Sequence, residues 1–316
     1  MSMRAIFHYA CSQSLSAKLK ALAPPWLEIR SCPESDAALL YRLLGDADVL
    51  LHVLEPATAK VMDAAPNLQL IQKIGVGVNT IDLEHAGLRG IRVCNMPGTN
   101  SRAVAEATLM LMLTTLRRTR SLDAATRSGD GWRLDPTLFD DVGEIGGRSV
   151  GLVGYGAVPT ILAPVLSALG ARVFYTATGP KPGAEAEWRE LPELLAESDI
   201  VSLHLPLTAE TECLIDAAAL ARMKPGAVLI NTARGGLVDQ RALIEALRHR
   251  RLLAAGLDVY EQEPVPTDCP LLEMDNVVLQ PHVAWLTPET LGRSLAVAME
   301  NCRRLRDGEE LLHRVL

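Results

Sequence analysis

The chain has 316 residues, enough for about two domains, each with a core of its own. Hydrophobic residues make up 48% and charged residues 22%, an ordinary globular composition that excludes disordered, collagen-like and coiled-coil chains. Lysine plus arginine number 31 against 38 acidic residues, a net charge of −7 with no basic block, which argues against a nucleic-acid partner but not against a small anionic substrate held by one local arginine.

In chain order, the short apolar runs at 4–7, 49–53, 68–74 and 91–94 predict strands. A long helix is expected from 103 to about 120, capped by Asn100 or Ser101 and closed by Arg117, Arg118 and Arg120, whose charges suit a helix C-terminus. Residues 121–147 read as a polar, irregular stretch around Trp132, fitting equally an arm that contacts a second subunit and a plain surface loop. Further strands are expected at 149–153, 172–175, 200–204, 227–231, 253–257 and 277–279, with helices at 191–197, 217–223 and 240–248. Strand–helix–strand repetition means an α/β fold of parallel sheets buried on both faces, which explains runs such as Val150-Gly151-Leu152-Val153 that show no alternation.

Cysteines stand at positions 11, 32, 94, 213, 269 and 302, none in a Cys-x-x-Cys pair. The scatter reads as buried reduced thiols rather than a disulfide framework or a metal site, so a cytoplasmic protein without metal is expected. No long apolar leader opens the chain, and the most apolar run, 109–116, is too short for the ~20 residues that cross a bilayer.

The segment Gly151-Leu152-Val153-Gly154-Tyr155-Gly156-Ala157-Val158-Pro159 follows a strand and opens a helix. In that context Gly154 permits a tight turn, and Gly156 lets backbone N–H groups and the helix N-terminus face a pyrophosphate, with Tyr155, Ala157 and Val158 lining it. An ordinary tight turn would use the same glycines. Pro159 replaces the third glycine; it is tolerable in a first helical turn, whereas Pro164 lies deeper and predicts a kink or local irregularity. A dinucleotide site that selects NAD carries an acidic residue ~20 residues on, at the end of the next strand. Here that strand runs out as Thr176-Ala177-Thr178-Gly179-Pro180-Lys181, with no carboxylate. Hydroxyls at Thr176 and Thr178 and the charge of Lys181 could receive a 2′-phosphate, so NADP is favoured over NAD; an exposed lysine is also often merely solvated.

Three later segments each place a reactive side chain after a strand: Arg234 in Asn231-Thr232-Ala233-Arg234-Gly235-Gly236, Asp258 and Glu263 in Asp258-Val259-Tyr260-Glu261-Gln262-Glu263, and His282 in Gln280-Pro281-His282-Val283-Ala284-Trp285. An arginine binds a carboxylate bidentately, and a histidine paired with a carboxylate is a general acid–base. Singly, such residues are usually surface pairs, solvated charges or structural histidines. Their joint position at the strand ends of the sheet that also carries the glycine turn points to one site.

These segments, with Lys73-Ile74-Gly75-Val76-Gly77-Val78-Asn79, Asn95-Met96-Pro97-Gly98-Thr99-Asn100, Val104-Ala105-Glu106 and His204-Leu205-Pro206-Leu207-Thr208, resemble in content and order the D-isomer-specific 2-hydroxyacid dehydrogenase family over nearly the whole chain. The resemblance implies two Rossmann-like domains: a discontinuous, smaller, flavodoxin-like substrate domain from 1–99 plus a C-terminal helix near 289–316, and a doubly wound coenzyme domain over 100–288, with hinges near Asn100 and Pro288 and the site in the crevice between the domains. It further implies a homodimer built from the long helix and the Trp132 arm. His282 would protonate the keto oxygen while hydride reaches the carbonyl carbon, Glu263 would keep His282 protonated, and Arg234 would hold the substrate carboxylate. Backbone N–H groups of Val76 and Gly77 would hold the other carboxylate oxygen, and Asn100 would lie near the nicotinamide. Asp258 would bond the carboxamide, Thr232, Ala233 and Ala284 would line the ring, and Leu205, Pro206 and Thr211 would pass the adenine side.

Glu55, where phosphoglycerate-using members carry a basic residue, disfavours a phosphorylated substrate, and Glu263 disfavours formate oxidation, which has no use for an acid–base pair. Trp285 would narrow the pocket if it points inward; a core or interface role is the alternative. Glyoxylate or hydroxypyruvate is therefore the expected substrate class. A nucleotide-sensing corepressor with the same fold and the same three side chains, and a coenzyme-binding protein of degenerate activity, are the alternatives.

Overall fold

The computed structural model describes residues 2–133 and 136–316, apart from the Phe139 side chain; Leu134 and Asp135, inside the expected arm, lie outside the described residues. The chain divides into two compact units, Met1–Asn100 with Thr287–Leu316, and Ser101–Leu286.

The first unit holds strands β1 (Met3–His8), β2 (Leu27–Cys32), β3 (Val49–His52), β4 (Leu70–Lys73) and β5 (Arg92–Cys94) in one sheet of order β2-β1-β3-β4-β5. Every neighbouring pair is parallel, and the order is that of flavodoxin-like sheets. β2 carries Glu28, Arg30 and Ser31 among its apolar residues and escaped the hydrophobicity reading; β1 covers only one of its edges. The helix Pro288–Asp307 is capped by Thr287, whose side chain accepts from Thr290 N–H. It stops at Gly308 in the left-handed region, so the helix expected to reach 316 is shorter. The tail beyond is extended: Val315 N–H donates to Val93 O at 2.7 Å, and Asn95 N–H to His313 O at 3.1 Å.

The second unit holds β6 (Ser149–Val153), β7 (Arg172–Thr176), β8 (Glu187–Trp188), β9 (Ile200–Leu203), β10 (Ala227–Asn231), β11 (Leu252–Leu257) and β12 (Val277–Leu279). Their order, β12-β11-β10-β9-β6-β7-β8, is wholly parallel and reverses direction at β6, the switch point where open α/β sheets bind ligands. All residues of β9 and β10 are buried, as strands covered on both faces must be.

The expected single helix to about 120 is instead two, Ser101–Leu116 and Thr119–Ser128. Arg118 between them has φ 47°, a left-handed turn that ends the hydrogen-bond ladder, and its guanidinium pairs with Asp141 and, at 3.0 Å, with Asp275. A further short helix, Leu138–Asp141, follows, so the stretch 121–147 is helical over 121–128 and 138–141 and irregular over the rest of its described residues. The helix Ala157–Ala168 runs through Pro164 without a break. All six cysteines are free; Cys213 is exposed and Cys11 half-buried, against the expectation of burial for all. Among the described residues no helix is long and apolar enough to cross a membrane.

Candidate active site

Because the strands of the second unit are parallel, the loops after β6, β10, β11 and β12 leave from one edge of the sheet. The turn after β6 begins at Gly154, with φ 98°, a conformation that side chains rarely adopt. A Cβ there would stand 2.8 Å from the His204 carbonyl oxygen, so the close passage of the segment after β9 also demands glycine. Gly156 differs: a Cβ would meet nothing within 4 Å, so the space above it is free for a ligand. It is the N-cap of helix Ala157–Ala168, and no side chain caps that end. Open space, uncapped N–H groups and the helix dipole fit an anionic group of a dinucleotide. Pro159 is buried within the first helical turn, where its missing N–H leaves no ladder bond broken.

The loops after β10, β11 and β12, adjacent strands, hold the reactive side chains. Asn231, at the end of β10 and buried, stitches its loop: Nδ2 donates to Arg234 O at 2.9 Å, and Oδ1 accepts from Ala233 N–H at 3.0 Å. Thr232 Oγ1 lies 2.9 Å from Thr108 Oγ1, which ties the loop to helix Ser101–Leu116. Gly235 is the tightest point, since a Cβ would sit 1.8 Å from both the carbonyl carbon and oxygen of Tyr260. Backbone thus lies on backbone, and the Arg234 loop is seated against the Glu263 loop. Burial pulls the Arg234 guanidinium below its ordinary pKa, and the Glu263 charge opposes that. Its Nη1 also donates to Ala233 O.

Glu263 Oε2 lies 2.6 Å from His282 Nδ1, while Oε1 accepts from Tyr260 N–H at 3.0 Å. Burial would raise the Glu263 pKa, but the His282 hydrogen bond and charge, the Tyr260 N–H and the Arg234 charge outweigh it and hold the carboxyl below the usual range. His282 has φ 58°, a left-handed conformation uncommon outside glycine. Asp258 over-determines it: its carbonyl accepts from His282 N–H at 2.8 Å, Oδ1 from Val283 N–H at 2.8 Å and Oδ2 from Ala284 N–H at 3.0 Å. Asp258 is buried, and burial raises its pKa despite these donors. Both of its oxygens are engaged by the His282 loop, so a carboxamide would have to share their remaining lone pairs. Trp285 Nε1 donates to His282 O at 3.0 Å and closes the same loop.

Arg234, Asp258, Glu263 and His282 are therefore one cluster. Thr176, Thr178 and Lys181 lie at and beyond the end of β7, with Lys181 Nζ donating to Tyr155 O at 2.7 Å on the glycine turn. Thr211 accepts from Thr208 N–H at 2.8 Å and donates to Pro206 O at 2.7 Å, fixing the segment after β9 that includes Leu205. Val76, Gly77 and Asn100 belong to the first unit. There Val76 is exposed and its carbonyl accepts from Asn95 Nδ2 at 2.9 Å, on a loop opened by Gly75 at φ 147°. Sequence reasoning gave no role to Asn231, Gly235, Tyr260 or Thr108. The available signal was polarity inside otherwise apolar elements, as for Asn231 after Ala227-Val228-Leu229-Ile230.

Residues 109–284 match the family described as "D-isomer specific 2-hydroxyacid dehydrogenase, NAD binding domain". A glyoxylate reductase of Korarchaeum cryptofilum is 38% identical over 283 residues, covering 88% of this chain and 85% of that protein. A D-3-phosphoglycerate dehydrogenase of Mycobacterium leprae is also 38% identical, over 90% of this chain but 54% of its own length. Among solved structures, an NADPH-dependent glyoxylate/hydroxypyruvate reductase of Sinorhizobium meliloti, in complex with NADP and malonate, is 29% identical with a TM-score of 0.85, covering 100% of this chain and 97% of that one.

Proposed function

The chain belongs to the D-isomer specific 2-hydroxyacid dehydrogenases, and on that premise we propose that it reduces a small 2-keto acid, glyoxylate or hydroxypyruvate, with NADPH in preference to NADH. The observation that carries this reading is the Glu263–His282 pair at 2.6 Å beside Arg234, on loops that leave adjacent parallel strands.

The residues take these roles. Arg234 holds the substrate carboxylate and polarises the keto group through charge that burial leaves poorly screened. Glu263 occupies His282 Nδ1, so Nε2 is the nitrogen left to give a proton to the keto oxygen. After that transfer His282 is neutral and keeps its Nδ1 proton toward Glu263. When bound, NADPH or NADH supplies the hydride that ends on the carbonyl carbon. Gly154, Tyr155, Gly156, Ala157 and Val158 hold its pyrophosphate. Asp258 fixes the His282 loop and shares a lone pair with the carboxamide, while Thr232, Ala233 and Ala284 line the ring. Val76 and Gly77 N–H and Asn100 complete the substrate contacts on the strength of the resemblance, and Trp285, three residues past His282, narrows the pocket. By the same warrant, 1–99 with 289–316 form the substrate domain, 100–288 the coenzyme domain, and the two crossings act as hinges.

The segment after β3 supports a substrate without phosphate. Glu55 is exposed and acidic, and His52 is fully buried and pushed down to about 3, chiefly by burial and then by the charge of Lys73, whose ammonium donates to the Val53 carbonyl, so the imidazole stays neutral. Exposed Met110 and Leu113 on helix Ser101–Leu116, and Trp132 at 84% exposure, support a homodimer through that face. Free cysteines accord with the cytoplasm. The test is direct: mix the protein with NADPH or NADH and glyoxylate, hydroxypyruvate or 3-phosphohydroxypyruvate, and monitor the absorbance of the reduced nicotinamide. Turnover of the first two with NADPH is expected; no turnover across the panel would overturn the reading.

A further inference from the structure

The side chains that hold Lys181 form an arrangement of their own. Tyr155, the residue between the two glycines of the turn, and Tyr175, in β7, stack with ring centroids 4.2 Å apart and planes tilted by 37°. Each hydroxyl accepts from the backbone of the turn after Pro180. Tyr175 Oη accepts from Lys181 N–H at 2.6 Å, and Tyr155 Oη accepts from Glu185 N–H at 3.1 Å. The Lys181 ammonium in turn donates to the Tyr155 carbonyl at 2.7 Å. The 181–185 turn is thus pinned at both ends onto the glycine turn. An ammonium that would otherwise wander on a flexible stem is anchored next to Gly156, above which no protein atom lies within 4 Å of a built Cβ.

One of its three protons is used by the Tyr155 carbonyl, which leaves two for a ligand. Tyr175 is 1% exposed, and its ring packs in the core between β6 and the helices over it, so it is a rigid post. The turn also carries exposed Glu185, whose charge would repel the same anion; the difference is that Lys181 is the charge held on the glycine turn.

We propose that Tyr155 and Tyr175 are positioning residues for coenzyme choice: through their hydroxyls they fix Lys181 where it meets the 2′-phosphate of NADP(H). This rests on the NADP(H) reading above and adds to it the means by which a chain without an acidic or an arginine side chain at the end of β7 makes the distinction.

The experiment measures Kd for NADPH and for NADH by fluorescence titration of the full-length protein and of Tyr155→Phe, Tyr175→Phe and Lys181→Ala. Phenylalanine keeps both rings and their stacking, so only the hydroxyl bonds are lost. Lys181→Ala is expected to weaken NADPH by about tenfold or more, the loss of one charge-assisted contact, and to leave NADH unchanged. Each phenylalanine variant is expected to lower the NADPH-over-NADH ratio several-fold in the same direction as Lys181→Ala, and Tyr175→Phe, outside the glycine turn, to do so with NADH affinity at the wild-type value. Phenylalanine variants that keep the wild-type ratio while Lys181→Ala loses it would overturn the tyrosine clasp and leave the NADP(H) reading standing. A fall in affinity for both coenzymes together would mean a structural role only and would also overturn it. A wild-type protein that prefers NADH would overturn the NADP(H) reading itself.

Discussion

Replacing Glu263 by Gln keeps the side chain's shape, removes its charge and turns one of its two acceptors into a donor. Both carboxylate oxygens accept in the native protein: Oε2 from His282 Nδ1 at 2.6 Å and Oε1 from Tyr260 N–H at 3.0 Å. An amide offers one acceptor oxygen and one NH2 donor, so in either orientation a donor meets a donor. With the oxygen toward Tyr260 N–H, the amide NH2 faces Nδ1 and no longer accepts its hydrogen bond. With the oxygen toward Nδ1, the imidazolium still loses its charged partner. A charge-assisted hydrogen bond contributes roughly 1.5–3 kcal/mol against about 1 kcal/mol for a neutral one. The His282 and Glu263 side chains are 25% and 35% exposed, which screens part of the difference. Roughly 0.5–1.4 kcal/mol remains, a factor of about 2–10 in rate. The carboxylate orients the ring and offsets its charge, so its removal should slow the proton transfer to the keto oxygen. Keto-acid reduction at saturating coenzyme should fall by about that factor, while coenzyme Kd keeps its native value. The assay is the turnover of Glu263→Gln, read from the reduced nicotinamide, with coenzyme Kd titrated beside it. Native turnover in the variant, or a loss accounted for by coenzyme binding, would refute the pairing as part of the acid.

His282→Gln should cost about 10²–10⁴ in turnover, the range for a positioned general acid, while coenzyme Kd stays at the wild-type value; a matching loss of coenzyme binding would count against the role. Arg234→Lys should lower kcat/KM for the keto acid by about tenfold or more, because an ammonium cannot reproduce the guanidinium fork, with KM carrying most of the change. Gly235→Ala drives a methyl to 1.8 Å from the Tyr260 backbone, so the protein should lose ~3 kcal/mol or more in denaturant unfolding, and what folds should show a raised KM as the Arg234 loop shifts. The Glu263 carboxyl, held below the ordinary carboxylate range, contributes stability above its unfolded pKa that is lost as pH falls through the folded value. Glu263→Gln should therefore bring the melting temperatures of mutant and wild type closer together at acid pH than at neutral pH.

Much of the fold was legible because parallel strands buried on both faces leave plain apolar runs. All of β6, β9 and β10 lie within segments read as strands. The failures share a cause, which is that local pattern cannot see a partner distant in sequence. β2 alternates apolar residues with Glu28 and Arg30, whose charges pair with each other at 2.7 Å and, for Arg30, also reach Asp46, so its polarity looked like loop. The break at Arg118 is invisible in a helical run ending in arginines, because it depends on Asp141 and Asp275 waiting at distances of 23 and 157 residues along the chain. The helix to 316 was an implication of the resemblance; the tail instead pairs along β5, a strand edge that nothing local announces.

The candidate site divides the same way, and the division has a physical reason. Residues that must present a reactive atom, Arg234, Glu263 and His282, stand out because charge at a strand end is costly to bury and so demands a use. Residues that hold those side chains in place do not, because their chemistry is spent inward. Asn231 satisfies two backbone groups of its own loop, and Asp258 three N–H groups of another when its carbonyl is included. Gly235 acts through an absent methyl. Such groups read as ordinary until the neighbouring backbone is in view, and yet they decide the site's geometry. A misplacement of about 1 Å in a reacting group can cost about 100-fold in rate. His282 illustrates the consequence: φ 58° is a conformation its own sequence resists, and it persists because Asp258 answers for the loop from an adjacent strand. The reactive imidazole is chosen by the sequence at position 282, but its aim is set at position 258.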